Sequence, residues 1–225
     1  MNWEAIILTA KLASVVSIIL VIIGIPIAYW ISFSQWRWKF LVETVVAMPL
    51  VLPPTVLGYY ILVTISPKTL IGGLWVEFFG TPLPFSFTGL VIASVFYSLP
   101  FAVQPFASSF ETVDRKLIEA AWTLGTSQLK TFFSIIIPLS IPGIITGIVL
   151  SFAHTLGEFG VVLMVGGNIP GVTRTVSIDI YDNVQAFKYS EAASTSFFLL
   201  IVSFLVLSIV YAINRKVWSV WPQRF

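Results

Sequence analysis

The sequence has no cysteine, a single histidine and few charged residues. The absence of cysteine excludes disulfides, thiolate metal sites and cysteine nucleophiles. A soluble domain carries about 25% charged residues, whereas this chain of 225 residues carries 10%, is 57% hydrophobic and has a mean hydropathy of +0.97. We therefore predict an all-α integral membrane protein that forms one membrane domain over residues 1–225.

Several functional classes lack the residues that they would need. The chain has no G-x-x-x-x-G-K-[ST] loop for nucleotide phosphates, and its net charge of +2 gives no indication of a nucleic-acid partner. One histidine and no cysteine leave too few groups for a membrane-embedded enzyme, and the H-x-x-x-E pair His154 and Glu158 lacks a third metal ligand. No catalytic residue, metal or bound cofactor is predicted.

Five apolar segments are long enough to cross a membrane, which takes about 20 residues. The predicted spans cover residues 6–33, 40–65, 87–110, 141–165 and 192–213. The first is longer than the roughly 7–15 apolar residues of a cleaved signal peptide, so it is interpreted as a retained span. Residues 111–140 contain too many polar groups to enter lipid and are predicted to form a structured loop.

The positions of lysine and arginine indicate the direction in which the chain crosses. If the N-terminus is outside, the inner side holds Arg37, Lys39, Arg115, Lys116, Lys130, Arg215, Lys216 and Arg224. The outer side then holds Lys11, Lys68, Arg174 and Lys188. Because cytoplasmic loops carry the excess of positive charge, we predict an outside N-terminus and a cytoplasmic C-terminus.

The second span is dense in helix breakers, in the run MPLVLPPTVLG over residues 48–58. Consecutive Pro53 and Pro54 remove two backbone donors at membrane depth, which leaves carbonyls that could face a wet cavity. The plainer interpretation is curvature, since prolines are common in membrane helices. Because so dense a run is hard to explain by curvature, Pro53, Pro54, Thr55 and Gly58 are candidate residues of a translocation path.

The fourth span contains the only deep ionisable pair, His154 and Glu158, and their four-residue spacing predicts one helix face. A charge near the middle of a membrane costs about 2.5–3.5 kcal/mol, so both side chains are expected to face protein or water. Glu158 and Gly160 are candidates for the path or its gate. A structural hydrogen-bonded pair is the favoured alternative, because a lone carboxylate would repel an anion.

The loop over residues 111–140 is predicted to contain a short helix. Asp114 could cap a helix that begins at Arg115, Gly125 supplies the conformation that ends one, and Thr126 could cap a second helix. The apolar face of the first helix comprises Leu117, Ile118, Ala121, Trp122 and Leu124. Nearby acidic residues disfavour a helix that lies on anionic lipid, so docking into a cytoplasmic partner is the favoured hypothesis.

The same loop resembles the EAA loop of bacterial ABC importer permeases. The resemblance rests on Glu-Ala-Ala at 119–121, on Gly125 after three further residues, and on Ile135 and Pro138 at the expected spacing. Ile137 stands where the family usually has leucine. The chain is therefore identified as resembling a type I ABC importer transmembrane domain of about five spans with a cytoplasmic coupling helix.

This resemblance implies a division of labour between subunits. The coupling helix would dock in a cleft of a separate ATP-binding subunit, so that ATP and Mg are bound by two partner ATPase subunits and not by this chain. The residues to which it assigns the coupling role are Glu119, Ala120, Ala121, Leu124 and Gly125. Five spans are few for a closed path and no internal repeat is visible, so a second copy of the chain is expected around a two-fold axis.

A narrower resemblance covers most of the chain. The runs MPLVLPPTVLGYYIL from residue 48, VDRKL from residue 113 and LGEFGVVLMVGGNIPGVTRT from residue 156 are similar to molybdate permeases. These form part of a sulfate/molybdate/tungstate branch, in which the run over residues 167–175 favours molybdate over sulfate. The family often has arginine where His154 stands, which weakens the case for a fixed positive charge at that position.

The branch implies two further partners, which are a periplasmic or lipid-anchored oxyanion-binding protein and membrane lipid. It also implies that the chain lies in a bacterial or archaeal cytoplasmic (inner) membrane. Asn168 and Arg174 in the outer loop are expected to meet the binding protein or the anion, with a solvated loop as the alternative. The alternative functions are a sulfate/thiosulfate or tungstate permease and, more remotely, a proton-coupled secondary transporter that uses Glu158.

Overall fold

The computed structural model describes residues 1–220, and every regular element in that range is a helix. The helices are α1 Trp3–Phe33, α2 Lys39–Ala47, α3 Pro54–Thr64, α4 Leu70–Phe79, α5 Phe87–Glu111, α6 Arg115–Thr123, α7 Gln128–Thr131, α8 Ile137–Gly157, α9 Gly160–Gly166, α10 Val176–Gln185 and α11 Tyr189–Val220. Of the residues counted for orientation, Arg224 lies outside the described residues, as do the side chains of Arg215 and Lys216.

Three long helices, α1, α5 and α8, form the centre of the fold. Their contact faces bury Leu12, Leu20, Phe106 and Phe110 completely. Gly147 on α8 lies against Phe106, and a Cβ atom added there would also approach the Ala102 carbonyl oxygen to 2.8 Å. Small residues at such crossings let helix backbones come close, which is how helices pack within a membrane.

Within the part of the chain that the structure describes, four helices are long and apolar enough to span a membrane: Trp3–Phe33, Phe87–Glu111, Gln128–Gly157 and Tyr189–Ala212. The first, second and fourth of these helices coincide with the first, third and fifth predicted spans, with small shifts of their ends. The fifth candidate is a bent pair of helices in place of the second predicted span, so the count of five holds only if that pair crosses as one unit.

The second predicted span is not a single curved helix. Its two parts, Lys39–Leu50 and Pro54–Thr64, are bent by 111° relative to one another. The N–H groups of Val51 and Leu52 both donate to the Met48 carbonyl, at 3.1 Å each, and the two following prolines have no N–H to continue the ladder. Simple curvature is therefore the wrong interpretation here, because the chain turns by more than a right angle.

The predicted bounds of the fourth span, 141–165, are wrong at both ends. A continuous helix begins at Gln128, passes through a π-helical turn at Phe132–Ile136 and ends at Gly157. Polar residues near its start predict a loop, but the helix includes these residues. At the other end Glu158 is extended, with φ −60° and ψ 134°, and the separate helix α9 follows. The apolar run over residues 159–165 conceals this break.

Two short helices lie in connections for which no helix was predicted. In the first, the Thr69 hydroxyl caps α4 by accepting from the Gly72 N–H at 3.2 Å, and Gly80 ends the helix with φ +72°. In the second, α10 packs against α1, because the Val176 N–H donates to the Thr9 hydroxyl at 2.9 Å. Both connections are thus structured parts of the fold.

Candidate functional site

A buried polar cluster lies where the predicted fourth span breaks. Glu158, only 3% exposed, accepts hydrogen bonds from two hydroxyls of α5: Ser94 Oγ lies 2.5 Å from Oε2 and Ser98 Oγ 2.6 Å from Oε1. A buried carboxylate without partners would cost several kcal/mol of desolvation. The two serines offset that cost and tie the end of α8 to α5.

His154 completes the cluster, and its hydrogen bonds indicate which ring nitrogen carries a hydrogen. Its Nδ1 lies 2.9 Å from Ser98 Oγ and 3.4 Å from Glu158 Oε1, while Thr155 Oγ1 also lies 2.9 Å from Ser98 Oγ. With Glu158 ionised, Ser98 donates its one hydroxyl hydrogen to the carboxylate, and Nδ1 is then the donor in the contact between His154 and Ser98. The ring therefore keeps Nε2 for other partners. The predicted pairing of His154 with Glu158 is present, although Glu158 lies just beyond the helix.

A cavity of about 330 Å³ lies beside this cluster. The bend of the second predicted span, residues 49–54, forms one wall, and Tyr97, Phe101 and His154 form the other. His154 stacks on Phe101 with ring centroids 3.9 Å apart. Among the lining residues, His154 has the only side chain that can carry a positive charge, whereas Glu158 is buried behind it.

The predicted path residues divide around this cavity. Pro53 and Pro54 line it, whereas Thr55 is exposed on α3 and Glu158 lies in the buried cluster. From the sequence His154 is considered only as one half of a gate or structural pair with Glu158 and is not among the named path candidates, whereas the structure places it in the lining of the cavity. The sequence gives little indication of this contact, because the bend of the second span and His154 lie far apart in the chain.

Gly58 and Gly160 hold two short helices close together. A Cβ atom on Gly58 would lie 2.8 Å from Met164 Cβ, and one on Gly160 would lie 2.9 Å from Pro54 Cβ. Real Cβ atoms do not approach so closely, so both positions need glycine for the packing of α3 against α9. The two helices consequently form one packed unit on the far side of the bend.

The segment predicted to couple to a partner contains α6, with both ends capped. The Asp114 carboxylate accepts from the Lys116 N–H at 2.9 Å, as predicted. Gly125 has φ +82°, its N–H donates to the Trp122 carbonyl at 2.9 Å, and the next N–H donates to the Ala121 carbonyl at 3.0 Å. This is the Schellman pattern, in which a left-handed residue ends a helix.

The predicted cap of the second helix is wrong by one residue. The Thr126 hydroxyl donates to the Ala121 carbonyl and so closes the preceding helix. Ser127 caps α7 instead, because its hydroxyl accepts from the Lys130 N–H at 3.3 Å. Either hydroxyl could cap a helix start, and the path of the chain after Gly125 decides between them.

The apolar face of α6 has an anchoring part and a free part. Ile118, 4% exposed, and Ala121 are buried, and Ile118 belongs to the central cluster together with Phe110 and Ile136. All other residues from Arg115 to Gly125 are exposed, and they include Leu117, Glu119, Ala120, Trp122, Leu124 and Gly125. Leu124 is 86% exposed. One side of α6 is thus fixed to the bundle, and the other presents apolar and small residues outward.

The predicted outer-loop residues meet in one cluster. Arg174 Nε donates to Asn168 Oδ1 at 2.6 Å, and Asn168 Nδ2 donates to Asp182 Oδ2 at 2.5 Å. The Arg174 guanidinium also lies 3.7 Å from Asp182, which offsets its charge. Asn2 Nδ2 donates to Asp179 Oδ1 at 2.8 Å and ties the same helix, α10, to the start of α1.

Comparison with known proteins identifies the family of the chain and several related sequences. The model of a family described as binding-protein-dependent transport system inner membrane component matches residues 12–219. The molybdenum transport system permease protein ModB of Azotobacter vinelandii is 50% identical over 95% of each chain, and ModB of Escherichia coli K12 is 36% identical over 96% of each. A probable sulfate transport system permease protein, cysT of Chlorella vulgaris, is 29% identical over 93% of this chain and 78% of that one.

Solved structures show the same architecture at low sequence identity. A bacterial ABC transporter involved in the import of the acidic polysaccharide alginate gives a TM-score of 0.75 at 18% identity, covering 95% of this chain and 78% of that one. The MetNI methionine ABC transporter, in inward-facing conformations, gives 0.74 at 15% identity over 96% of each chain. The fold is therefore that of a type I ABC importer transmembrane domain, as predicted.

The cluster generates a prediction about stability. Glu158→Gln replaces a group that accepts from two serines with one that has a single acceptor oxygen, so we expect a free energy of unfolding lower by about 1–3 kcal/mol. The measurement is the thermal unfolding midpoint of the purified chain in detergent. Glu77→Gln, at an exposed position on α4, is the control and should leave the midpoint unchanged. Equal midpoints for both variants would contradict a structural role for Glu158.

Proposed function

The chain belongs to the family of binding-protein-dependent transport system inner membrane components, and we propose that it is the permease subunit of an ATP-driven molybdate importer. The observation that carries this proposal is the 50% identity to the Azotobacter molybdenum permease across 95% of both chains. The sulfate relative, at 29% identity, makes sulfate the second candidate. Tungstate stays close to molybdate, because both are tetrahedral dianions of nearly the same size.

The chain is a multi-pass inner membrane protein, and we propose that it works as a homodimer by alternating access. Two ATP-binding subunits would dock on the exposed side of α6, and an oxyanion-binding protein would deliver substrate from outside. The inner position of α6 follows from the predicted orientation. This arrangement is supported by the capped, outward-facing α6 and by the absence of a nucleotide-phosphate loop from the sequence.

The proposed transmission of force follows the packing. Ile118 joins α6 to the central cluster, and the helix that begins at Gln128 continues to Gly157. At 1.5 Å per residue, 30 helical residues reach about 45 Å. A displacement of α6 would therefore reach the cluster of His154 and Glu158 through the contact of Ile118 with the central cluster and along this long helix.

We place the transmembrane step of the anion in the cavity beside the bend of the second span. Its lining comprises residues 49–54 of the bend and His154, together with Tyr97 and Phe101. Nδ1 is held by Ser98 and Glu158, so a protonated ring would direct Nε2–H toward the cavity. One such donor gives a weak site, which suits a path that must release its substrate.

The first test is the substrate. We expect cells that express this chain with its ATPase and binding protein, in a host without molybdate uptake, to accumulate radioactive molybdate. Excess tungstate should abolish the signal, excess sulfate should leave most of it, and ATP depletion should stop it. Competition by sulfate as strong as that by tungstate would favour the sulfate alternative. Uptake that survives ATP depletion but collapses with the proton gradient would favour a secondary transporter.

The second test concerns coupling. Gly125→Lys places a bulky side chain at φ +82° on the exposed side of α6, and we expect uptake to fall to about a tenth or less, since a loss of about 1.4 kcal/mol in docking is tenfold. ATPase stimulation should fall with it, while membrane insertion persists. Gly80→Lys is the matched control, because Gly80 also ends a helix, has φ +72° and, like Gly125, has open space around an added Cβ.

Gly80→Lys should carry similar backbone strain and leave uptake per inserted molecule unchanged. If Gly125→Lys transports normally, or if both variants lose uptake equally, α6 does not have the coupling role.

The third test concerns His154. His154→Gln removes the one lining side chain that can carry a positive charge, and we expect a lower maximal uptake rate at saturating molybdate with an unchanged affinity of the binding protein. His154→Arg, which keeps a cation at that position, should recover part of the rate. Unfolding midpoints in detergent separate this effect from loss of fold. Equal maximal rates for His154→Gln and the unaltered chain would remove His154 from the path.

A further inference from the structure

A second cavity, of about 440 Å³, lies at the opposite end of α1 from the outer cluster. Its lining residues are Ser32, Ser34, Gln35, Trp36, Arg37, Lys39, Phe40, Glu43 and Arg115. Three of them are cations contributed by three different parts of the chain: Arg37 by the connection after α1, Lys39 by the start of α2 and Arg115 by the start of α6. Glu43 is the only carboxylate in this lining.

The positive charge of this cavity is only partly compensated. Lys39 Nζ lies 3.7 Å from Glu43 and donates to the Ile31 carbonyl at 3.3 Å. The Arg37 guanidinium lies over the Trp38 ring, 5.1 Å from its centroid. In the part of the chain that the structure describes, neither Arg37 nor Arg115 has a carboxylate partner. Two guanidinium groups around one concave site favour an anion, and their fork geometry suits phosphate.

Aromatic residues beside the cavity indicate its depth in the membrane. Trp36, Trp38 and Phe40 are each about half exposed and follow directly after the long apolar helix α1. Tryptophan side chains in such positions lie at the level of the lipid headgroups. The cavity is therefore at the height of the lipid phosphates, on the side predicted to be cytoplasmic.

We infer that this cavity binds the headgroup phosphate of an anionic phospholipid, held by Arg37, Arg115 and, in part, Lys39. Basic pockets between membrane helices on the cytoplasmic side bind lipid headgroups by this charge complementarity. A free inorganic oxyanion could make the same hydrogen bonds as a headgroup phosphate. The exposed aromatic rings beside the cavity, however, offer apolar contacts that suit a ligand with acyl chains. The lipid is therefore the ligand to which the site is assigned.

The position of Arg115 links the lipid site to the start of α6. Arg115 is the first residue of α6 and also lines an adjoining cavity of about 210 Å³ together with Glu119 and Trp122. A headgroup bound between Arg37 and Arg115 would hold the start of α6 against the corner between α1 and α2. Anionic lipid should consequently stabilise the segment that is proposed to couple to the ATPase.

The test compares lipids on the purified full chain in nanodiscs. Phosphatidylcholine alone is compared with phosphatidylcholine and phosphatidylglycerol mixed in a three-to-one ratio, and the thermal unfolding midpoint and the bound phosphatidylglycerol, by native mass spectrometry, are measured. We expect phosphatidylglycerol to raise the midpoint and to remain bound. In the Arg37→Gln, Arg115→Gln double variant, apparent affinity should fall roughly thirtyfold, which is about 2 kcal/mol for two surface cations.

Controls separate this site from general attraction and from loss of fold. The Lys68→Gln, Lys188→Gln double variant removes two exposed cations predicted to lie outside and should keep the full lipid effect. An Arg37→Lys, Arg115→Lys variant retains the charge and should keep part of the affinity. An unchanged midpoint of the glutamine variant in phosphatidylcholine alone shows that the fold is intact.

Two results would overturn the inference. One is a phosphatidylglycerol effect of equal size in the unaltered chain and the glutamine variant. The other is stabilisation by inorganic phosphate or molybdate in phosphatidylcholine alone that the glutamine variant loses, which would assign the site to a free oxyanion. Neither readout involves uptake, so failure here leaves the proposed transport function untouched.

Discussion

The hydrogen bonds from Ser94 and Ser98 to the Glu158 carboxylate are the contacts on which the interior of this molecule depends. They fix the point at which the long helix α8 ends against α5. Because the helix stops there, α9 can turn away and pack on α3 through Gly58 and Gly160. A buried carboxylate in an apolar layer is unfavourable unless it is fully bonded. The cluster therefore specifies where the chain leaves the helix.

The same cluster lies opposite the proline bend of the second predicted span, and the bend and His154 of the cluster both line the cavity. Each break frees backbone groups that lipid could not satisfy, so both must face protein or water. Within membranes, irregular backbone is tolerated only in such places, which is why broken helices and substrate paths occur together. The packing of Gly160 against Pro54 joins the two breaks into one unit. Movement at either break would therefore change the shape of the cavity.

Sequence reasoning located the apolar segments well and located their interruptions poorly. Hydropathy averages over many residues, so the run from Phe159 to Val165 looked like the end of a span although the helix had already stopped at Gly157. The cap at Asp114 and the left-handed Gly125 were predicted correctly because each depends on one residue and its immediate neighbours. The shift from Thr126 to Ser127, the close packing at Gly58 and the exposure of His154 to the cavity depend on tertiary contacts, which a single sequence does not display.

The distribution of charge explains how a dianion could cross a chain with so few cations. On the outer side Arg174 is compensated by Asp182, and in the interior His154 is paired with Glu158, so neither place presents an isolated positive charge to a passing anion. The uncompensated guanidinium groups of the cavity at the end of α1 are Arg37 and Arg115, at the level of the lipid headgroups. A fixed cation without a neighbouring carboxylate would bind a dianion tightly and slow its release. The proposed path of broken helices presents instead one histidine paired with Glu158, and we propose that tight capture is left to a separate binding protein.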